Sequence, residues 1–152
     1  MATVKNPPYE AYAAIVGIFV GGLGLAGGAA RILDRNPACQ TPLDFLVLAA
    51  ASFKAARTLA RDEVTSFIRE PFVEGDAHEG AEDPVETGDY RQAIGELVTC
   101  SRCVGTWAAA TLATSQILMP RFGRLLTWSL AAAGANDWLQ AGFVKLTESA
   151  NR

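Results

Sequence analysis

The chain is short of the residues on which most catalytic and disulfide-stapled proteins depend. Its one histidine, His78, cannot supply a multi-histidine metal set from a single copy. Its three cysteines, Cys39, Cys100 and Cys103, leave at least one thiol unpaired within the chain, which excludes a small disulfide framework. Charged residues make up 19% of the sequence, against ~25% in an average soluble chain. Excess positive charge is also missing: the net charge is -3 and the pI about 5.1, which argues against nucleic acid as a partner. No stretch alternates apolar and polar residues as a half-buried strand would, and no segment repeats.

What is there is apolar and clustered. Half of the 152 residues are hydrophobic, and the length fits a single membrane domain over 1–152. Four blocks stand out as approximate spans, at 11–30, 43–60, 104–119 and 125–144. The first has no charge and matches the ~20 residues that cross a bilayer as a helix. Gly17, Gly21, Gly24 and Gly28 share one face of it, the small-residue spacing that lets a second helix approach closely in lipid. A signal peptide cleaved near Gly28-Ala29-Ala30 is the competing reading, but a leader would have no use for that glycine face. Between the last two blocks, Pro120-Arg121-Phe122-Gly123 reads as the turn of an antiparallel helical hairpin. These features predict an all-α integral membrane protein of about four transmembrane helices, alongside a bundle of very apolar soluble helices as the alternative.

Between blocks two and three, Asp62 to Phe72 reads as one short amphipathic interfacial helix, with Asp62 and Thr65 placed to cap or brace it. Residues 74–96 read as an acidic, flexible cytoplasmic loop, since Glu70 to Glu96 carries a net charge of -8. Four spans would place both termini, this loop and the cysteine pair on one side. That side holds Lys5, Arg57, Arg61, Arg69, Arg91, Arg102, Lys145 and Arg152; the other holds Arg31, Arg35, Arg121 and Arg124. The excess predicts a bacterial inner (plasma) membrane protein with both termini cytoplasmic.

Two groups of residues could carry chemistry. Lys54 and Arg57 lie roughly 17 and 21 Å along the second block, and Asp137 roughly 18 Å along the fourth, which runs the same way. Equal depth makes an intramembrane ion pair geometrically sensible; it reads as a register-fixing pair or as part of an ion pathway. Cys100 and Cys103, three apart at a helix start, can face one way, and the helix N-terminus and Arg102 favour thiolate. They could be packing residues, a redox dithiol, or half of a Zn²⁺ site completed by His78 or by a second chain. Cys39 lies on the opposite side, as a free thiol or a link between chains. Trp107, Trp128 and Trp138 read mainly as aromatic-belt residues.

Lys54, Arg57, Asp62, Val64, Thr65 and Arg69, followed by Thr99, Cys100, Cys103 and Trp107, resemble the pattern of an uncharacterised family of small bacterial multi-pass membrane proteins that includes YjcA-like sporulation proteins. Asp137 with Leu139 and Gln140 is similar to that family's C-terminal helix, and the resemblance runs from about Leu43 to Val144. Ser101 stands where the family has proline between the cysteines, and Phe67 where it has proline after Thr65. The resemblance implies membrane location and helical architecture, and no reaction. The leading expectation is therefore a non-enzymatic accessory or scaffold component with the lipid bilayer, a homo-oligomer or a membrane complex as its partners. A thiol-redox or metal protein using Cys100 and Cys103 is the alternative, and a small transporter or channel using Lys54, Arg57 and Asp137 the weaker one.

Overall fold

The computed structural model describes residues 7–35, 40–77 and 80–151. Lys5, Cys39, His78 and Arg152, each given a role above, lie outside the described residues. Among those described, helices dominate: α1 (Tyr9–Ile32), α2 (Pro42–Arg61), α3 (Ser66–Arg69), α4 (Tyr90–Thr99), α5 (Ser101–Leu118) and α6 (Pro120–Ala150). A minimal ribbon, β1 (Val73–Glu74) and β2 (Asp83–Pro84), precedes α4, with Val73 opposite Pro84 and Glu74 opposite Asp83 in antiparallel register.

Local chemistry sets the ends of these helices. Thr41 caps α2 in a reciprocal box: its hydroxyl accepts from the Asp44 amide at 3.2 Å, while its own amide donates to the Asp44 carboxylate at 3.0 Å. Pro42 fills the first helical position, where a missing N–H costs nothing. Pro120 does the same for α6, so the expected Pro-Arg-Phe-Gly turn is instead the first turn of a helix, and the connection shrinks to Met119. Gly123 makes the tight return possible, because a Cβ there would lie 2.4 Å from the backbone of Ser115 and Gln116. At 31 residues α6 is ~46 Å long, well past the end of the apolar block at Val144.

The stretch from Asp62 to Phe72 is not one amphipathic helix. It breaks into a 3-10 turn (Glu63–Thr65), α3 and a second 3-10 turn (Glu70–Phe72). Asp62 is extended, with ψ 138°, and Pro71 lacks the N–H that a continuous helix would need. Asp62 acts through its backbone: its carbonyl accepts from the Thr65 hydroxyl at 2.9 Å, and its side chain makes no cap. The segment read as a loop through Glu96 contains the ribbon and then α4, which starts where the Asp89 carboxylate accepts from the Arg91 amide at 2.8 Å. Gly75 turns the ribbon at φ +107°, and Gly95 lets α4 lie against it, since a Cβ there would meet the Phe72 carbonyl at 2.4 Å.

The core is a three-helix bundle of α2, α5 and α6, built from small residues. Ala51, Leu112 and Ala131 form one cluster, flanked by Val47, Leu48, Leu126 and Leu130. Ala56, Ala60 and Val104 form a second. Gly134 brings α6 to within van der Waals reach of Lys54 Cβ and the Ala50 carbonyl on α2. Thr127 is fully buried; it donates to the Gly123 carbonyl at 2.7 Å and accepts from Gln116 at 3.0 Å. Small side chains and satisfied hydroxyls let these helix backbones approach closely. Helix α1 joins this bundle at its edge, through α5 and α4. Among the described residues it is the one helix long and apolar enough to cross a membrane.

Candidate functional site

The polar chemistry gathers at the end of the bundle where α2 finishes and α5 begins. Arg69 is fully buried there. Its Nη1 donates to the Leu59 carbonyl (2.7 Å), the Asp62 carbonyl (3.2 Å) and the Thr65 hydroxyl (2.9 Å). The guanidinium thus occupies the C-terminal end of α2, where the orphan carbonyls and the helix dipole both favour a cation. Its Nε donates to Glu82 at 2.7 Å. Nη2 lies 2.7 Å from the same carboxylate oxygen, without the alignment of a hydrogen bond. Thr65 relays this contact by donating to the Thr58 carbonyl at 2.6 Å. One residue therefore ties the end of α2 to the α3 segment and to β2's approach. Its carboxylate partner, Glu82, sits in a segment that composition alone assigns to a solvated loop.

Cys100 and Cys103 stand at the adjacent N-terminus of α5, as free thiols. Cys100 is the N-cap, its Sγ accepting from the Cys103 amide at 3.3 Å. The Cys103 thiol and amide together hold the Cys100 thiol below its ordinary range, with the Arg102 amide and charge adding to the effect. Burial and the neighbouring Cys100 push the Cys103 thiol up to about 11. The arrangement makes one sulfur the better nucleophile and the other its proton-bearing neighbour. Among the described residues no three His, Cys, Asp or Glu side chains come together to hold a metal, and His78 lies outside them. Thr99 donates to the Gly95 carbonyl at 2.8 Å, and Trp107 packs edge-on against Phe19 of α1, ring centroids 5.0 Å apart. A second tie to α1 joins the Tyr12 hydroxyl to the Glu96 carboxylate, which also accepts from Gln92 at 2.9 Å. Neither Glu82 nor Glu96 stands out in the sequence, because each meets its partner only through the tertiary fold.

Further along the bundle, Lys54 Nζ lies 2.7 Å from Asp137 Oδ2. Arg57 is not in this pair. It lines a small cavity of about 240 Å³ with Asp137, Phe53 and Trp138 on one side, and on the other a larger cavity of about 1110 Å³ between α2 and α5. Arg61, Ser101 and Arg102 also line the larger one. Gly17, Gly21, Gly24 and Gly28 are exposed, and no atom lies within 4 Å of a Cβ built on any of them. The structure therefore leaves this face of α1 open. Trp128 and Trp138 sit at the surface of α6, with Arg124 5.6 Å over the Trp128 ring and Phe53 6.4 Å from Trp138.

A family profile described as Protein of unknown function (DUF1360) matches residues 47–143. The sporulation protein YjcA of Bacillus subtilis (strain 168) is 31% identical over 112 residues, covering 64% of this chain and 95% of that one. The UPF0713 protein YngL of the same organism is 30% identical over 104 residues, covering 64% of this chain and 76% of that one. No solved structure matches the chain. The matched region runs from within α2 to most of α6, with the Arg69 contacts, both cysteines and the Lys54–Asp137 pair; α1 lies before it.

Proposed function

We propose that this chain, which belongs to the DUF1360 family of unknown function, is a multi-pass membrane protein that serves as a non-enzymatic accessory or scaffold. The observation that carries this reading is the outward placement of large apolar side chains along α1, α2 and α6. Leu25 is 78% exposed, Phe45 68% and Trp138 70%, on faces turned away from the small-residue core. A surface of this kind needs lipid or a protein partner. In this reading the spans are near 11–30, 43–60, 104–119 and 125–144, and the cap that holds Arg69 and the cysteines faces the cytoplasm. The pairing of Lys54 with Asp137 supports it, since charges at such depth are tolerated when paired. Tyr12 and Phe19 support a retained α1, because both bind it to the rest of the chain.

The association surface is the open glycine face of α1, with a second copy or a membrane-complex subunit as partner. Gly21→Leu with Gly24→Leu tests it. Neither side chain would strike anything within this chain, so the fold should persist while the oligomer or complex is lost in cross-linking and native-gel migration. Unchanged migration would remove the glycine face from the proposal. A second reading is favoured by the unequal thiols: Cys100 and Cys103 as a redox dithiol, or as half of a Zn²⁺ site shared between two chains. Cys100→Ser with Cys103→Ser separates the two readings. The scaffold reading expects assembly and phenotype to survive, and the thiol reading expects loss of phenotype or of stoichiometric metal.

A further inference from the structure

The 1110 Å³ cavity between α2 and α5 has a chemical gradient along its length. The two helices run antiparallel, so Phe53 and Ala109 lie at one end, while Arg61, Ser101 and Arg102 lie at the other with Arg57 between. Three arginines from two helices therefore line one space. The ion pairs found between described residues, Lys54–Asp137 and Arg69–Glu82, involve none of the three. Glu82 is taken by Arg69, Glu96 by Tyr12 and Gln92, and Asp137 by Lys54. The cationic end also receives the start of α5, an 18-residue helix whose positive dipole end adds to the same field, although its Arg102 and Cys103 amides are already engaged by the Cys100 sulfur.

We propose that this cavity binds a phosphate-bearing anion, with the phosphate at Arg61, Arg102 and the α5 N-terminus, and an apolar tail against Phe53 and Ala109. Guanidinium forks match phosphate oxygens in pairs, which a single ammonium cannot do. A volume near 1110 Å³ exceeds what a bare phosphate needs and suits a headgroup with the first part of a chain. An anionic phospholipid supplies that combination, and a soluble phosphate compound supplies the head alone. The proposal does not need the scaffold reading. It shares with that reading only the membrane placement, and only for the lipid source.

The test uses the full chain purified in detergent, with lipid adducts counted by native mass spectrometry at equal phosphatidylglycerol and phosphatidylcholine. Phosphatidylglycerol should be retained at least tenfold more than phosphatidylcholine. Arg61→Ala with Arg102→Ala should abolish that preference. Arg121→Ala with Arg124→Ala, an equal loss of charge at the other end of the bundle, should leave it intact. Arg61→Lys with Arg102→Lys keeps the charge without the fork and should retain a fraction of it, which guards against a fold lost by truncation; circular dichroism checks each variant. Inorganic phosphate at millimolar concentration is the second probe. Binding of phosphate itself, lost in the Ala pair, assigns the site to a soluble phosphate compound; binding of phosphatidylglycerol alone assigns it to lipid. Equal phosphatidylglycerol preference in the two Ala pairs, with no phosphate binding, overturns the proposal. That result would leave the oligomer test on Gly21 and Gly24 untouched.

Discussion

At the scale of single residues, Arg69 does the most. It satisfies carbonyls at the end of α2 with a fully buried guanidinium and pairs with the half-buried Glu82. Removing one member of a buried pair strands the other, at a cost on the order of 3 kcal/mol. Arg69→Ala should therefore lower the thermal midpoint by several degrees or prevent stable expression, and Arg69→Lys should recover only part, since an ammonium cannot reach three acceptors and Glu82 with fixed geometry. A thermal unfolding curve in detergent unchanged by Arg69→Ala would contradict this. Cys100 offers a second residue-level outcome. Its thiol is held below its ordinary range by hydrogen bonds from Cys103, so its reactive thiolate appears at lower pH than that of an ordinary thiol. Alkylation by iodoacetamide in a Cys39→Ser chain should show one early-reacting sulfur. Cys103→Ala should move that midpoint upward, because it removes the largest of those hydrogen bonds. An unmoved midpoint would mean the helix start alone sets it.

At the scale of elements, glycine has two different uses. Gly123 and Gly134 are contact positions: the first lets α6 turn back on α5, the second lets α6 approach α2 beside Lys54. Substitution at either is a test of folding. Gly21 and Gly24 face open space, so the change proposed above is a test of association, and the contrast keeps the two failures apart. The order of small residues also explains why α2, α5 and α6 form the bundle and α1 attaches at its edge. Ala51 of α2 packs with Leu112 and Ala131, and Ala56 and Ala60 of α2 pack with Val104 of α5, whereas α1 buries Ala11 and Ala30 and reaches α4 and α5 through Tyr12 and Phe19.

At the scale of the whole molecule, the polar cap lies at one end of an apolar bundle, and the proposed topology puts that end in the cytoplasm. Cys100 and Cys103 report on it. A membrane-impermeant maleimide applied to intact cells carrying Cys39→Ser should label neither thiol, and should label after permeabilisation. Labelling from outside would invert the orientation and make disulfide chemistry the leading reading of the pair.

Block length and apolar content were enough to determine a helical chain, because helix formation depends on neighbours within a few turns; helix ends were not, since α6 starts at Pro120 and runs on to Ala150. Membership of the family was also legible, in Lys54, Asp62, Thr65, Arg69 and the Thr99 to Trp107 stretch. The interruption of residues 62–72 was only partly visible, since Pro71 marks a break but does not say that Asp62 turns the chain. Tertiary structure decided the rest. Glu82 looks like any acid in a charged loop until β1 and β2 bring it beside Arg69. Arg57, Arg61 and Arg102 are scattered basic residues until α2 and α5 lie antiparallel and turn them into one cavity. Lys54 takes Asp137, and Arg57 does not: Gly134 of α6 lies against the Lys54 stem on α2, three residues before Asp137. Long-range partners cannot be read from local pattern, since the chain between them sets who meets whom.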